Sequence, residues 1–507
     1  QFEVGFRHFP ALGRAGIRKA INGPFTFAPD GNPLVGPVRG LSNYWVACAV
    51  MAGFSQAGGI GLVLSRWMAE SDPGQDIISM DVARFGAFAT PKYTSLKVPE
   101  NYSRRFRLAY PNEELAAARP VRRSPIYDRL IAAGAVMGAN FGLEHPLWFA
   151  PRGVAPSETP TYRRSEAFDV VKAECRAVRA TVGLYETSNY GKYEVTGRGA
   201  RAWLDRIFAS RIPPPGRLAL APMLSAAGRI MGDLSIACLD ADRFMIVGSG
   251  FAEEFHMRWW QASEPPPDVS LRSAASTLTG VSIAGPRSRE LLQRLVREDL
   301  SAAAFKLFRV KETAVGLAPA ILTRAGFTGE LGYELWTTPD YFLTLYDELC
   351  DAGRDLGLVH FGGRALSSLR LEKAYGSFNK DFRPDYTAGE TGLDRFIDFG
   401  KIEFIGRTAA VAEQSAGPRR RFVVMAVDAG DADVVGYESI MKDGVAVGYV
   451  TSGSYGHCID KSLAAGYVPT ELARDGESFQ IDILGESRAA RIALAPLYDP
   501  HGLRLRA

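Results

Sequence analysis

Two short stretches of this chain hold side chains suited to gripping a polar ligand. Residues 321–336 read ILTRAGFTGELGYELW, and residues 360–375 read HFGGRALSSLRLEKAY. The first carries Glu330 and Glu334, the second Arg370. A carboxylate accepts from an amino-imine edge and a guanidinium donates in a planar fork, so together they suit a planar, hydrogen-bonding ligand. A plainer reading places the same charges on a wet rim or pairs them with each other. A third stretch, GRIMGDLSI at 228–236, carries Asp233. A single Asp in such a place is more often a surface residue or a turn acceptor.

Elements must position these groups. Tyr333 and Leu335 alternate with Glu334 and Trp336, which predicts a strand with Glu334 and Trp336 on one face. The same period puts Asp233 on a face with Met231 and Ser235, opposite Leu234 and Ile236. Ala365, Leu366, Leu369 and Leu371 predict a helix, with Arg370 and Glu372 or Lys373 off its apolar stripe. A glycine-rich run, MAGFSQAGGIG at 51–61, predicts a loop entering a helix from Leu62 to Glu70. Such a loop offers free N–H groups and the positive end of a helix dipole, or is simply a close-packed turn.

The first two stretches resemble the folate-binding region of the aminomethyltransferase (glycine-cleavage T-protein) family, in the version fused to dimethylglycine and sarcosine dehydrogenases. The family pattern is YTGE-x-G-x-E followed by SLRLE; here FTGELGYE at 327–334 and SLRLE at 368–372 match it. The resemblance implies a folate site of Asp233, Ser249, Phe327, Glu334, Leu335, Trp336, Arg370 and Arg395. Asp233 is its catalytic member, beside the reacting nitrogens of tetrahydrofolate. There a carboxylate can orient the amine, take its proton and stabilise positive charge. Three positions depart from the family: Ser249 replaces an Asn, Phe327 a Tyr, and Arg395 an aromatic residue. Residues 23–61 are similar to the carboxy-terminal part of a D-amino-acid-oxidase-like flavin domain. That likeness implies FAD contacts at Met51, Ala52, Gly53, Phe54, Ser55, Gln56 and Gly58. FGLEHPLWFAPRG at 141–153 resembles the GWERPNWFA motif of the same flavoproteins, and residues 437–469 resemble their carboxy-terminal domain.

The likeness implies FAD-dependent oxidative demethylation of an N-methyl amine, of the dimethylglycine or sarcosine type. The one-carbon unit passes to tetrahydrofolate, and electrons leave to an electron-transfer flavoprotein or to oxygen. The alternatives are a flavin-free aminomethyltransferase or demethylase, and a non-catalytic regulatory protein of the same architecture. The glycine fingerprint for the dinucleotide is expected upstream of Gln1, in a longer protein of which this chain is a fragment. One lookalike, FMIVGSGFAE at 244–253, has Glu253 where the third glycine belongs and no convincing strand–helix–strand unit around it.

A chain of 507 residues with 47% hydrophobic and 23% charged residues should form about three soluble domains. A net charge of +3 argues against a polyanionic partner such as nucleic acid, and no run approaches the ~20 apolar residues of a membrane helix. Five scattered Cys without CxxC spacing indicate neither a disulfide framework nor a structural zinc, and the six His show no metal-ligand pairing. This suits a reducing compartment, bacterial cytoplasm or mitochondrial matrix. The expected class is α+β, in four parts. Residues 1–86 are the end of a flavin domain, 87–138 a connecting domain, 139–408 the folate-binding domain and 409–507 a β-barrel domain. A helix is expected to open at Pro111. Another, from Ala167 to Val182, is expected to close on Gly183–Glu186. Strand–helix rounds beginning near Gly191 and Thr279 suggest a weak internal repeat.

Overall fold

The computed structural model describes residues 2–507. Strands β1 (Leu34–Pro37) and β2 (Trp45–Cys48) form an antiparallel pair, and helix α1 (Gly53–Glu70) packs on it through Ile60 and Val63. The helix begins at Gly53 rather than Leu62, so the glycine run is not the predicted loop. Gly53, Gly58, Gly59 and Gly61 lie inside α1, each with open space where a Cβ would stand. Helix α2 (Pro91–Arg104) starts at Thr90, whose hydroxyl accepts from Tyr93 N at 3.2 Å, with Pro91 at its first position. The helix expected at Pro111 is absent. Residues 111–114 turn instead, with Asn112 in the left-handed region (φ 58°) that Asn tolerates.

A hairpin, β3 (Ala135–Asn140) and β4 (Leu143–Phe149), precedes helix α3 (Ala167–Ala180). Where a helix end was predicted at Gly183–Glu186, the chain forms strand β5 (Val182–Glu186), buried throughout. Nothing local marks it as a strand. Its Val182 and Leu184 enter the core formed by strands from much later in the chain.

Two rounds of the same topology follow. The first is β6 (Gly191–Thr196), α4 (Ala200–Ile207), β7 (Arg217–Leu224), β8 (Ile230–Asp240), β9 (Arg243–Gly248), α5 (Glu253–Ala262) and β10 (Ser270–Ser273). The second is β11 (Thr279–Ala284), α6 (Ser288–Gln293), β12 (Val310–Val315), β13 (Ala318–Thr323), β14 (Gly332–Thr337), α7 (Pro339–Gly353) and β15 (Leu358–His360). The first sheet runs β7-β8-β9-β6-β10; the second runs β12-β13-β14-β11-β5-β15. The suspected repeat is therefore present, with β5 inserted between the last two strands of the second copy. Because β9 pairs antiparallel with both β6 and β8, the glycines at 248 and 250 belong to no dinucleotide unit. The two sheets face each other across Leu218, Ala237, Met245 and Val247 on one side and Val310 and Trp336 on the other.

Helix α8 (Gly363–Glu372) leads toward a closed six-stranded barrel. Its strands are β16 (Arg420–Val427), β17 (Ser439–Lys442), β18 (Val445–Gly456), β19 (Lys461–Pro469), β20 (Ser478–Ile483) and β21 (Glu486–Ala493). Asp443 and Gly444, at φ 51° and 80°, form the tight turn between β17 and β18 that their types predicted. The five thiols are unpaired, and no helix among the described residues is long and apolar enough to cross a membrane.

Candidate functional site

Asp233 sits on β8. Leu234, Ile236 and Cys238 point into the core beneath the first sheet, so Asp233, Ser235 and Ala237 face the second sheet. The carboxyl keeps some solvent contact while protein closes around it. That burial pushes its pKa up to about 8; its own backbone amide and that of Phe378 oppose the rise, and the Asp381 charge adds to it. Glu334 sits on β14 between Ser282 of β11 and Thr323 of β13. Tyr333 and Leu335 pack into the core on the far side, so Glu334 and Trp336 face the first sheet. No charged or hydrogen-bonding group shifts the Glu334 carboxyl; burial alone lifts it to about 7. Two half-buried carboxyl groups thus stand on the facing sides of the two sheets. Tyr190, whose phenol feels the Glu334 charge, lies beside Trp336 with ring centroids 6.3 Å apart.

Arg370, in the last turn of α8, is buried, and its charge favours ionisation of Asp233. Its Nη1 donates to the Tyr375 carbonyl at 2.8 Å and to Asp381 Oδ2 at 2.6 Å. Tyr375 stacks on Phe327 at 5.8 Å and 25°. Continuing the β8–β9 register, which pairs Ser235 with Val247, places half-buried Ser249 across from Asp233. The structure thus brings Arg370 within electrostatic reach of Asp233 and ties Phe327 to Arg370 through Tyr375, while Ser249 lies across from Asp233 and Glu334 on the facing sheet. It does not bring in Leu335, whose side chain points into the opposite core. Trp336 is wholly buried between the sheets, and Arg395 lies at the surface over Phe396.

Residues 126–401 match the GCVT N-terminal domain, residues 420–499 the glycine cleavage T-protein C-terminal barrel domain, and residues 72–124 the FAD dependent oxidoreductase central domain. The chain belongs to the glycine-cleavage T-protein family, whose N-terminal domain matches more than half of it. It is 35% identical to mouse mitochondrial dimethylglycine dehydrogenase over 98% of its own length and 57% of that protein's. It is 32% identical to a 4-methylaminobutanoate oxidase (formaldehyde-forming) of Paenarthrobacter nicotinovorans, over 98% of this chain and 61% of the oxidase. The chain thus spans about three fifths of the length of these relatives. An aminomethyltransferase T from Bartonella henselae shares the fold, with a TM-score of 0.64 at 22% identity, over 75% of this chain and 98% of that one.

Other charges in the T-protein motifs follow the plainer reading. Glu330 and Glu372 flank Arg179 of α3, which donates to Glu330 Oε1 at 3.1 Å and Glu372 Oε2 at 2.8 Å. Tyr498 OH donates to Glu330 Oε1 at 2.7 Å and lies under the Arg179 guanidinium, 3.7 Å from ring centroid to Cζ. This buried triad fastens the motif loop, α8 and the chain beyond the barrel to α3. His256 is equally structural. Its ring bridges the Tyr193 hydroxyl (3.0 Å) and the Met231 carbonyl (3.1 Å), and burial lowers its pKa to about 3, so it braces β8 as a neutral group. Sequence reasoning missed Asp381, Tyr375 and Tyr190. Tyr375 ended the Arg370 stretch, but Asp381 sits in a polar run, NKDFRPDY, that reads as a surface loop. At the flavin-family segment, Ala52 caps α1 without a side-chain hydrogen bond, Phe54 is fully exposed, and Gly58 faces open space. An open, positively polarised helix end with small neighbours fits an anionic ring edge.

Proposed function

We propose that this chain is the tetrahydrofolate-binding part of an FAD-dependent enzyme that demethylates a small N-methyl amine of the dimethylglycine or sarcosine type. The observation that carries this reading is the pair Asp233 and Glu334, two carboxyl groups on the facing sides of the two sheets, with Glu334 lacking any protein counter-ion. A buried carboxyl without a partner is costly unless a ligand supplies one. Glu334 accepts from the amino-imine edge of the pterin. Phe327, stacked on Tyr375, offers the ligand an aromatic face. Asp233 holds the amine that receives the one-carbon unit. Without ligand it is protonated at neutral pH; a cation arriving beside it lowers its pKa, its proton leaves to solvent, and the carboxylate then takes the amine proton. Met51–Gln56 and Gly58, at the start of α1, would contact FAD, which supplies the two-electron oxidation of the amine. An electron-transfer flavoprotein is the electron acceptor this reading implies.

Titration calorimetry of the chain with tetrahydrofolate tests the reading. Glu334→Gln, which turns one acceptor into a donor facing the pterin's own donors, should weaken binding. Asp233→Asn should leave binding nearly intact and, in the longer protein, divert the one-carbon unit from methylenetetrahydrofolate to free formaldehyde. No binding by the unmodified chain, or equal binding by all three, places the folate site elsewhere.

A further inference from the structure

Asp381 has no place in the chemistry above, yet it is the most heavily bonded carboxylate near the cleft. It is fully buried. Its Oδ2 accepts from Arg370 Nη1 at 2.6 Å and from Ser377 N at 3.0 Å. Its Oδ1 accepts from Thr451 Oγ1 at 2.5 Å and Ser452 Oγ at 2.6 Å, both on barrel strand β18. Its carbonyl accepts from Tyr467 OH of β19 at 2.8 Å. One carboxylate oxygen therefore serves the folate domain and the other serves the barrel.

We propose that Asp381 is a positioning residue through which the C-terminal barrel sets Arg370 for the ligand in the cleft. This rests on the folate reading. A guanidinium on a flexible stem has many rotamers, and holding one in place costs conformational entropy. Here Nη1 is clamped between two acceptors, the Tyr375 carbonyl and Asp381. Asp381 is itself fixed by two hydroxyls that the barrel supplies. The clamp leaves Nε and Nη2 with no acceptor among the described residues. Asp233 feels both the Arg370 and the Asp381 charges, so the pair stands within electrostatic reach of the reacting carboxyl. Through Asp381 the barrel is then part of the ligand's site.

A double-mutant cycle on the 507-residue chain tests this, with tetrahydrofolate affinity and thermal midpoint read together. Asp381→Asn should weaken binding roughly tenfold or more, the scale of a charge-assisted hydrogen bond. In an Arg370→Ala background the same change should do nothing further to binding. Thr451→Val, a milder change confined to the barrel, should repeat the pattern with a smaller effect, and it carries the test if Asp381→Asn does not fold. Equal losses in both backgrounds, or no loss with Arg370 present, overturn the proposal while leaving the folate reading intact. Failure of the unmodified chain to bind tetrahydrofolate overturns both.

Discussion

Glu334 and Asp233 share an unusual proton balance. The Glu334 pKa stands near 7 and that of Asp233 near 8, against roughly 4 for either group in an unfolded chain. Between pH 4 and these values the folded state holds protons that the unfolded state has released. Stability is therefore full below the unfolded pKa and is lost as pH rises through 7 and 8. Glu334→Gln and Asp233→Asn cannot lose that proton. Each variant should unfold close to the parent at pH 4 and become the more stable of the two by pH 8.5, in thermal melts at constant ionic strength. A difference that does not change with pH would mean that both carboxyls are solvated and charged throughout. Glu334 was legible in the sequence because a strand alternates with period two, and Trp336 beside it marked the inner face. Asp381 was not legible, since its role exists only where donors from α8, β18 and its own loop converge.

At the scale of elements, the same arithmetic separates helices held by charge from helices held by packing. Helix α3 carries Arg179 into a buried triad with Glu330 and Glu372. Arg179→Leu should cost about 3–5 kcal/mol in urea unfolding, because it takes the buried cation from Glu372 and leaves Glu330 with only Arg504 at 3.7 Å. A loss below ~1 kcal/mol would show that water reaches both. Helix α1 is the opposite case. Gly58 lies within it at negative φ with nothing within 4 Å of the position its Cβ would take. Gly58→Ala should therefore stabilise the chain by about 0.5–1 kcal/mol, the helical cost of glycine. A neutral or negative change, read from the thermal midpoint, would mean that this face already packs closely. The boundaries of α1 and the whole of β5 escaped sequence reasoning for one reason. A glycine run reads as a loop and GLYE reads as a helix end until Val35, Val281 and Ile283 supply the apolar surface that decides otherwise.

Across the whole molecule, the proposed site residues come from the two sheets, the loops after β9 and β13, α8 and the loop that follows it, and their support comes from the barrel. All lie beyond residue 189. The doubled strand order was visible in the sequence only as a faint repeat, because β5 breaks the second copy and hides the symmetry. Residues 34–104 contribute differently. They meet the two-sheet domain through Asp81 with Arg258 (2.5 and 2.6 Å), Asp76 with Arg383 (2.6 Å) and Arg39 with Glu254. Only Ile78 and Ala83 from this region join a cluster made otherwise by later residues, among them Leu224, Phe255, Phe378 and Phe404. Removing it exposes those arginines to water rather than stranding them, and leaves most of the cluster closed on itself. The solved aminomethyltransferase of this fold also stands as a chain matched over 98% of its length by three quarters of this one. A chain of residues 118–507 keeps Arg119 on buried Glu144 and the Arg122 backbone pairing with the β4 turn. It should fold cooperatively at a lower midpoint and bind tetrahydrofolate within about tenfold of the full chain, a penalty of roughly 1.4 kcal/mol or less. Circular dichroism melts and calorimetry on the two chains decide the matter. A shortened chain that folds but has lost folate binding would show that the amino-terminal region shapes the cleft through Phe378, the one clustered ring whose backbone amide stands beside Asp233.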